Sequence, residues 1–432
     1  MVVNRRPSGS GIPKLRYGIA LLLGFGVLVN YFDRVNLSVA RDALHTDFGV
    51  GAAAFGILSS AYSYTYAALQ LPVGIILDRY GVKTVGRIAA LLWSVASFLT
   101  AVTVNFTTFF GARLLLGVGE APTFPANAKA IGYWFPRQER GLATALFDAA
   151  AKLGTAIAIP IISLIAASFG WRGAFVFTGV LSLIFFLAFW AFYRNPSEDK
   201  RLSEAERGYI TEGGAQAEGR IEIDEGARLA YLLRQPKVWG LTLGFSAYGY
   251  SFYLFLTWLP SYLSGALHLG LIASGWYAAV PWLVAAISDL VVGGWLVDHL
   301  IARGFEPTRV RKTILVGGLL LGLAIVGATQ TRDPVVATAW ISVALAGLAA
   351  SAPIGWSIPA LIAPKGSVGT VGGIMNFFNN VMGIAAPTVT GFIVGATNSF
   401  TNAFLTAGVV LLGGIVAYVF VLGKIEPIPE PV

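Results

Sequence analysis

The sequence of 432 residues contains no cysteine, three histidines and three methionines. Without cysteine there is no disulfide, no thiol nucleophile and no thiolate-bound metal. His45, His268 and His299 lie far apart, at the ends of apolar runs or in loops, and form no catalytic or metal-binding cluster. HExxH, GxSxG and Walker-type patterns are missing too, which argues against an enzyme. The larger shortage is of charge. Asp, Glu, Lys and Arg make up 12% of the chain, against about 25% in soluble domains. So few charges cannot cover the surface of a soluble protein of this length. A soluble globular enzyme, a disordered chain and an ordinary nucleic-acid-binding domain are all excluded.

What the chain has instead is apolar length: 56% of its residues are hydrophobic and glycine occurs 51 times. A bilayer-spanning helix needs about 20 mainly apolar residues. Twelve runs meet that need, near 17–43, 52–77, 84–104, 107–131, 140–168, 171–193, 234–263, 270–300, 311–330, 334–361, 367–395 and 400–423. One long polar stretch, Arg194 to Arg228, separates the first six from the last six. The expected architecture is an all-α membrane protein of twelve transmembrane helices in two six-helix bundles. Residues 1–193 form the first bundle, 194–230 a cytoplasmic linker and 231–432 the second bundle.

The basic residues are sorted by side. Arg5, Arg6, Lys14, Arg16, Arg79, Lys83, Arg87, Arg137 and Arg140 share one face with the polar stretch, Arg303, Arg309, Arg311, Lys312, Lys365 and Lys424. The opposite loops offer only Arg41, Arg172 and Arg332. Lys and Arg accumulate on the cytoplasmic side of membrane proteins, so both termini and the linker are expected there. The net charge of +8 then reports topology rather than an acidic partner. The basic start of the chain lacks a cleavable signal pattern, and the first apolar run is expected to remain as a helix.

The two halves echo each other. Gly74-Ile-Ile-Leu-Asp78-Arg79-Tyr-Gly81-Val-Lys83 closes the second run, and Gly294-Trp-Leu-Val-Asp298-His299 closes the eighth. Matched halves suit a carrier whose site lies between them at mid-membrane. The first of these segments resembles the signature loop of the major facilitator superfamily, and Arg113-Leu-Leu-Leu-Gly117-Val-Gly119 resembles that superfamily's fourth-helix motif. Other segments are more specific: Asn30-Tyr-Phe-Asp33-Arg34-Val-Asn-Leu-Ser, Gly119-Glu120-Ala-Pro, Trp134-Phe-Pro, Gly170-Trp-Arg-Gly-Ala-Phe, Thr257-Trp-Leu-Pro-Ser-Tyr and Gly372-Gly-Ile-Met-Asn376-Phe-Phe-Asn-Asn380. As an ordered set they resemble the anion:cation symporter family, to which bacterial hexonate, hexuronate and aldarate transporters belong.

Charges at bilayer depth are costly and mark functional candidates. Asp33 and Arg34 are adjacent, so on a helix they point about 100° apart and no single neighbour can satisfy both. Arg113 and Glu120 are two turns apart on one helical face, roughly 10 Å along the axis. A facing Asp33 could exchange ion pairs with them. Protonation of Asp33 or Glu120 would release an arginine and shift the preferred conformation, because a carboxylate can be neutralised and a guanidinium cannot. The alternative is a purely structural salt bridge between helices.

The resemblance implies more specific roles. Asp33 and Glu120 match a proton-coupling pair, Arg34 a residue that binds the substrate carboxylate, and Arg113 the link between the acids. Tyr31, Tyr66, Trp356 and Asn380 match positions that touch substrate. Ala151 stands where the sugar-acid pattern has glutamine. The neighbouring Lys152 could supply a second cation for a dianionic substrate, or could simply pair with Asp148. Ser357, Asn376 and Asn379 add neutral hydrogen-bonding groups, while Asp289 has no assigned role. Asp78, Arg79 and Lys83 are read as a gating loop.

The function expected is symport of an organic anion, most specifically a sugar acid, with protons across the inner (plasma) membrane. The proton is the coupling ion, and no cofactor or metal is expected. The partners are the anion and the lipid bilayer, with no nucleic acid, and the carrier is expected to be monomeric. A sodium-coupled or exchange mechanism stays open, as does a non-transporting sensor on a transporter scaffold.

Overall fold

The computed structural model describes residues 14–137, 139–216, 218, 229–365 and 367–430. Arg5 and Arg6, and the charged run at 222–228, lie outside the described residues. Among the described residues, eight helical stretches are long and apolar enough to cross a bilayer on composition alone. One of these, Asp148–Phe192, holds two spans. The second, fourth and seventh spans bring the total among the described residues to twelve. They are Leu15–Val39, 52–80, 82–101, Phe106–Glu120 continued by Thr123–Trp134, 140–169, 171–192, Pro236–Gly265, Leu271–Ala302, Pro307–Gln330, Pro334–Ile362, Val368–Thr397 and Thr401–Val421. Their outer faces carry bare apolar side chains such as Leu21, Phe169, Val409 and Phe420, each more than 60% exposed, as expected of surfaces that meet lipid.

Two tight reversals depend on glycine. Gly81 (φ 75°, ψ 163°) separates the second and third spans, and Gly170 (φ 73°, ψ 172°) separates the fifth and sixth. This backbone region is essentially restricted to glycine, which gives the glycine in the Gly74–Lys83 segment its physical reason. Other helices start on side-chain caps. Asp333 accepts the amides of Val335 and Val336 ahead of Pro334, and Glu306 accepts those of Thr308 and Arg309 ahead of Pro307. The Thr308 amide, first among these donors, helps hold the Glu306 carboxyl below the usual carboxylate range. The first span ends at Val39, earlier than the apolar run suggests, and a short helix Arg41–Phe48 leads to the second.

The halves meet most closely on the face opposite the termini. A Cβ on Gly391 would stand 2.6 Å from the Ala52 carbonyl, so second and eleventh spans cross backbone to backbone. Ser60 Oγ sits 2.9 Å from the Ile384 carbonyl and 2.8 Å from Thr388 Oγ1. Phe55 packs edge-on against Trp258 at 5.1 Å. Fifth and eighth spans approach at Gly275, where a Cβ would meet Ser163 Oγ at 2.6 Å.

The linker carries a helix, Glu204–Glu212, capped by Ser203. It is docked on the first half. Buried Glu206 accepts the Arg16 side chain at 2.9 Å and the backbone amides of Leu15 and Arg16, thereby capping the first span. Arg16 also reaches Glu139 at 2.8 Å, and Tyr209 donates to Glu139 at 2.7 Å. Partial burial pushes the Glu139 carboxyl up, but the bonds from Arg16 and Tyr209 outweigh it and hold the group below its ordinary value.

Candidate functional site

The fourth span is wedged against its neighbours through two glycines. Gly117 lies on the Tyr62 carbonyl and Thr65 of the second span, and a Cβ on Gly119 would meet the Trp93 amide of the third at 2.6 Å. Thr65 Oγ1 donates to the Leu114 carbonyl at 2.7 Å, tying the second and fourth spans together. This close approach carries Arg113 and Glu120 inward until both reach the first span. Each is at least 98% buried.

Asp33 and Arg34 diverge as adjacent helical residues must. Arg34 Nε donates to Glu120 Oε2 at 3.1 Å. Its guanidinium lies over three tyrosine rings: Tyr62 at 4.7 Å, Tyr31 at 4.8 Å and Tyr66 at 5.4 Å. Such contacts strengthen as water is excluded. Arg34 Nη2 and Glu120 Oε1 have no hydrogen-bond partner among the described residues. Asp33 turns the other way. Its carboxylate accepts from Ser97 at 2.7 Å, Ser182 at 2.8 Å and the Trp93 indole, all neutral donors on the third and sixth spans.

Arg113 reaches the first span through the Asp33 main-chain carbonyl, 3.3 Å from Nη1. Its carbonyl contact differs from the expected link to the Asp33 carboxylate. Two carboxylates and two guanidiniums therefore share one buried region with zero formal net charge. Beside them lies a small cavity of about 30 Å³, lined by Arg34, Arg113, Tyr62 and Ser63 from one half and Tyr253 and Gly383 from the other.

Other expected site residues are placed as follows. Asn380 is buried and accepts from Tyr253 OH at 3.4 Å, one contact away from the cavity. Its amide donates to the Asn376 carbonyl at 2.8 Å, and Asn376 meets Gln70 of the other half at 3.4 Å. Asn379 is buried, and its Oδ1 has no hydrogen-bond partner among the described residues. Trp356 is 44% exposed and packs edge-on against Phe245 at 5.1 Å. Ser357 bonds its own helix at Ile354. Lys152 pairs with Asp148 at 2.7 Å and with Asp289 of the eighth span at 2.8 Å, so Asp289 acquires a partner. At the Gly81 reversal between the second and third spans, Asp78 pairs with Lys129 of the fourth, Lys83 with Glu198 of the linker, and Arg79 lies over Tyr80.

The residues missed from the sequence are Tyr62, Trp93, Ser97 and Ser182, which hold the charges, and Tyr253, which lines the cavity and bonds Asn380. Three carried a signal. Tyr62 and Tyr66 share a helical face at a spacing of four, as do Trp93 and Ser97 on the third span.

The Major Facilitator Superfamily family model matches residues 23–387. The chain belongs to that superfamily. It is a membrane transporter, not an enzyme. An uncharacterised transporter of Bacillus subtilis (strain 168) is 42% identical over 96% of this chain and 95% of its own length. A probable L-galactonate transporter of Escherichia coli (strain K12) is 33% identical, covering 97% and 92%. A probable galactarate/D-glucarate transporter of Bacillus subtilis (strain 168) is 30% identical, covering 95% and 93%. Among solved structures, a D-xylose-proton symporter superposes with a TM-score of 0.73 at 16% identity, over 96% of this chain and 98% of that one. That likeness concerns the major facilitator fold, with its two bundles of six spans.

Proposed function

We propose that this transporter imports a sugar acid (a hexonate, hexuronate or aldarate) together with protons, by alternating access. The reading places it in the plasma membrane as a monomer, with both termini cytoplasmic. The observation that carries it is the buried Arg34–Glu120 pair, whose arginine lines the cavity between the halves. Arg34 has a planar fork suited to a carboxylate, and part of that fork is occupied by an acid of the protein itself. A substrate carboxylate competes with Glu120 for it. Once displaced, Glu120 is a buried carboxylate without its cation, and taking a proton is the least costly outcome.

Charge balance supports the same sequence of events. The four central charges sum to zero, so an incoming hexonate or hexuronate leaves one negative charge in excess, which one proton cancels, whereas a dianionic aldarate leaves two. Asp33, held by neutral donors rather than by a cation, is a second acid open to protonation. Tyr31 and Tyr66 would flank the bound carboxylate, while Asn380 and Tyr253 would supply donors and acceptors for hydroxyl groups. In this reading Arg113 links the acids through the first span's backbone, and Trp356 joins the substrate only as the halves move. The ion pairs of Asp78 and Lys83 would hold one end of the bundle in a given state.

The substrate class is tested by thermal-shift titration of the purified protein with D-galactonate, D-glucuronate, galactarate and D-glucarate. Stabilisation by one of these that disappears in Arg34→Ala supports the assignment. Equal stabilisation of that variant contradicts it.

A further inference from the structure

The cluster at Lys152 has no part in the scheme above. Lys152 and Asp148 stand one turn apart on the fifth span, and Asp289 belongs to the eighth, in the other half. Side-chain exposures are 4%, 25% and 3% respectively. One ammonium thus joins two carboxylates across the boundary between the halves, and the fully ionised cluster carries one excess negative charge. Asp289 Oδ2 takes the ammonium, whereas Oδ1, equally enclosed, has no hydrogen-bond partner among the described residues. The eighth span widens into π-helical turns from Asp289 to Leu296, a distortion frequent at functional positions.

Tyr31 of the first span and Tyr248 of the seventh lie within electrostatic reach of the cluster, and Arg34 stands behind Tyr31. The tenth span packs on the eighth through the Ser288–Ala346 bond and at Gly293, and Pro334–Ser357 contains no titratable side chain.

Asp148 and Lys152 form a neutral pair on one helix and travel together when the halves move. Asp289 does not travel with them. Any motion that parts the fifth and eighth spans at this level takes away the one cation paired with Asp289 among the described residues, and an ionised carboxylate left there is strongly disfavoured. We propose that Asp289 is a proton-binding site in its own right, ionised while Lys152 holds it and protonated when the two halves part around it. By linkage, the proton then favours the parted arrangement to the same degree that parting favours the proton. The inference rests on the proton-coupled carrier reading and adds to it a conformation-linked proton separate from Asp33 and Glu120.

The absence of native cysteine permits a test that requires no substrate and no transport. Spin labels on Thr144→Cys and Ala302→Cys, both exposed on the termini side of the fifth and eighth spans, report their separation by pulsed dipolar spectroscopy. The background carries Asp33→Asn and Glu120→Gln, so that the central acids do not titrate. As pH falls, the distance distribution should move toward the parted state. Asp289→Asn should show that state at every pH, and Asp148→Asn should retain the pH response. Should Asp289→Asn misfold, Lys152→Gln with Asp289→Asn removes both charges together and should also lose the response. A pH response unchanged by Asp289→Asn or by the double variant overturns the proposal. So does a background that responds to sodium at fixed pH but not to pH. If the labels behave as expected while the wild-type protein shows no proton-driven uptake, the carrier reading fails and this site stands.

Discussion

Glu120 Oε2 lies 3.1 Å from Arg34 Nε, while Glu120 Oε1 and Arg34 Nη2 are both without hydrogen-bond partners among the described residues. The pair is therefore half engaged: a carboxylate of the protein holds one edge of a guanidinium that could accept a second carboxylate. Glu120→Gln keeps the shape and removes the proton-binding group. Counterflow exchange of substrate should persist in this variant, and accumulation driven by a proton gradient should be lost. Loss of exchange and accumulation together would assign Glu120 to binding instead.

Arg34 is enclosed by three tyrosine faces and one carboxylate. Lysine keeps the charge but loses the planar fork and the stacking. Arg34→Lys should weaken binding at least tenfold, which corresponds to about 1.4 kcal/mol, in a calorimetric titration with whichever sugar acid stabilises the wild-type protein. Unchanged affinity would mean that only the charge matters.

The sequence made the scaffold readable because hydrophobic length is a local property, as is the sorting of Lys and Arg by side. The four central charges were readable for a related reason: in so apolar a chain a buried charge stands out. Their partners were not. Ser97 and Ser182 are ordinary residues of apolar helices, and only the packing of third and sixth spans against the first brings them to Asp33. Asp289 had no visible role, since its cation lies 137 positions earlier in the other half. The docked linker helix was hidden likewise, because a short polar helix has no apolar run and Glu206 is buried only through Arg16 and the start of the first span.

Gly170 adopts a backbone conformation that other residues avoid, with no atoms near its missing Cβ. Gly170→Ala should therefore be strained for backbone reasons alone, by about 1–3 kcal/mol. Gly74 also has open space around it but sits inside a regular helix, where alanine is favoured by up to about 1 kcal/mol. Thermal unfolding in detergent should show a lower Tm for Gly170→Ala and an equal or higher Tm for Gly74→Ala.

The linker helix is fastened by charges, which makes its docking pH-dependent. The Glu139 carboxyl is held below its usual 4.5, so its stabilising contribution is complete above that value. It is lost as pH falls through the depressed one. Thermal stability should fall on acidification through this window, and Glu139→Gln should flatten that part of the profile. Glu206→Ala leaves Arg16 buried with one carboxylate fewer and uncaps the first span. Its expected cost is about 1.5–3 kcal/mol, that of lost hydrogen bonds to a charged group, read as a drop in Tm and faster proteolysis of the linker.

The central claim is that substrate movement is driven by protons. Its most direct measurement is uptake of a stabilising sugar acid into proteoliposomes under an inward proton gradient, with sodium absent and an uncoupler added part-way. Accumulation above the external concentration should occur and then collapse on addition of the uncoupler, and Arg34→Ala should show neither. Accumulation that survives the uncoupler, or that appears only with a sodium gradient, would contradict the account.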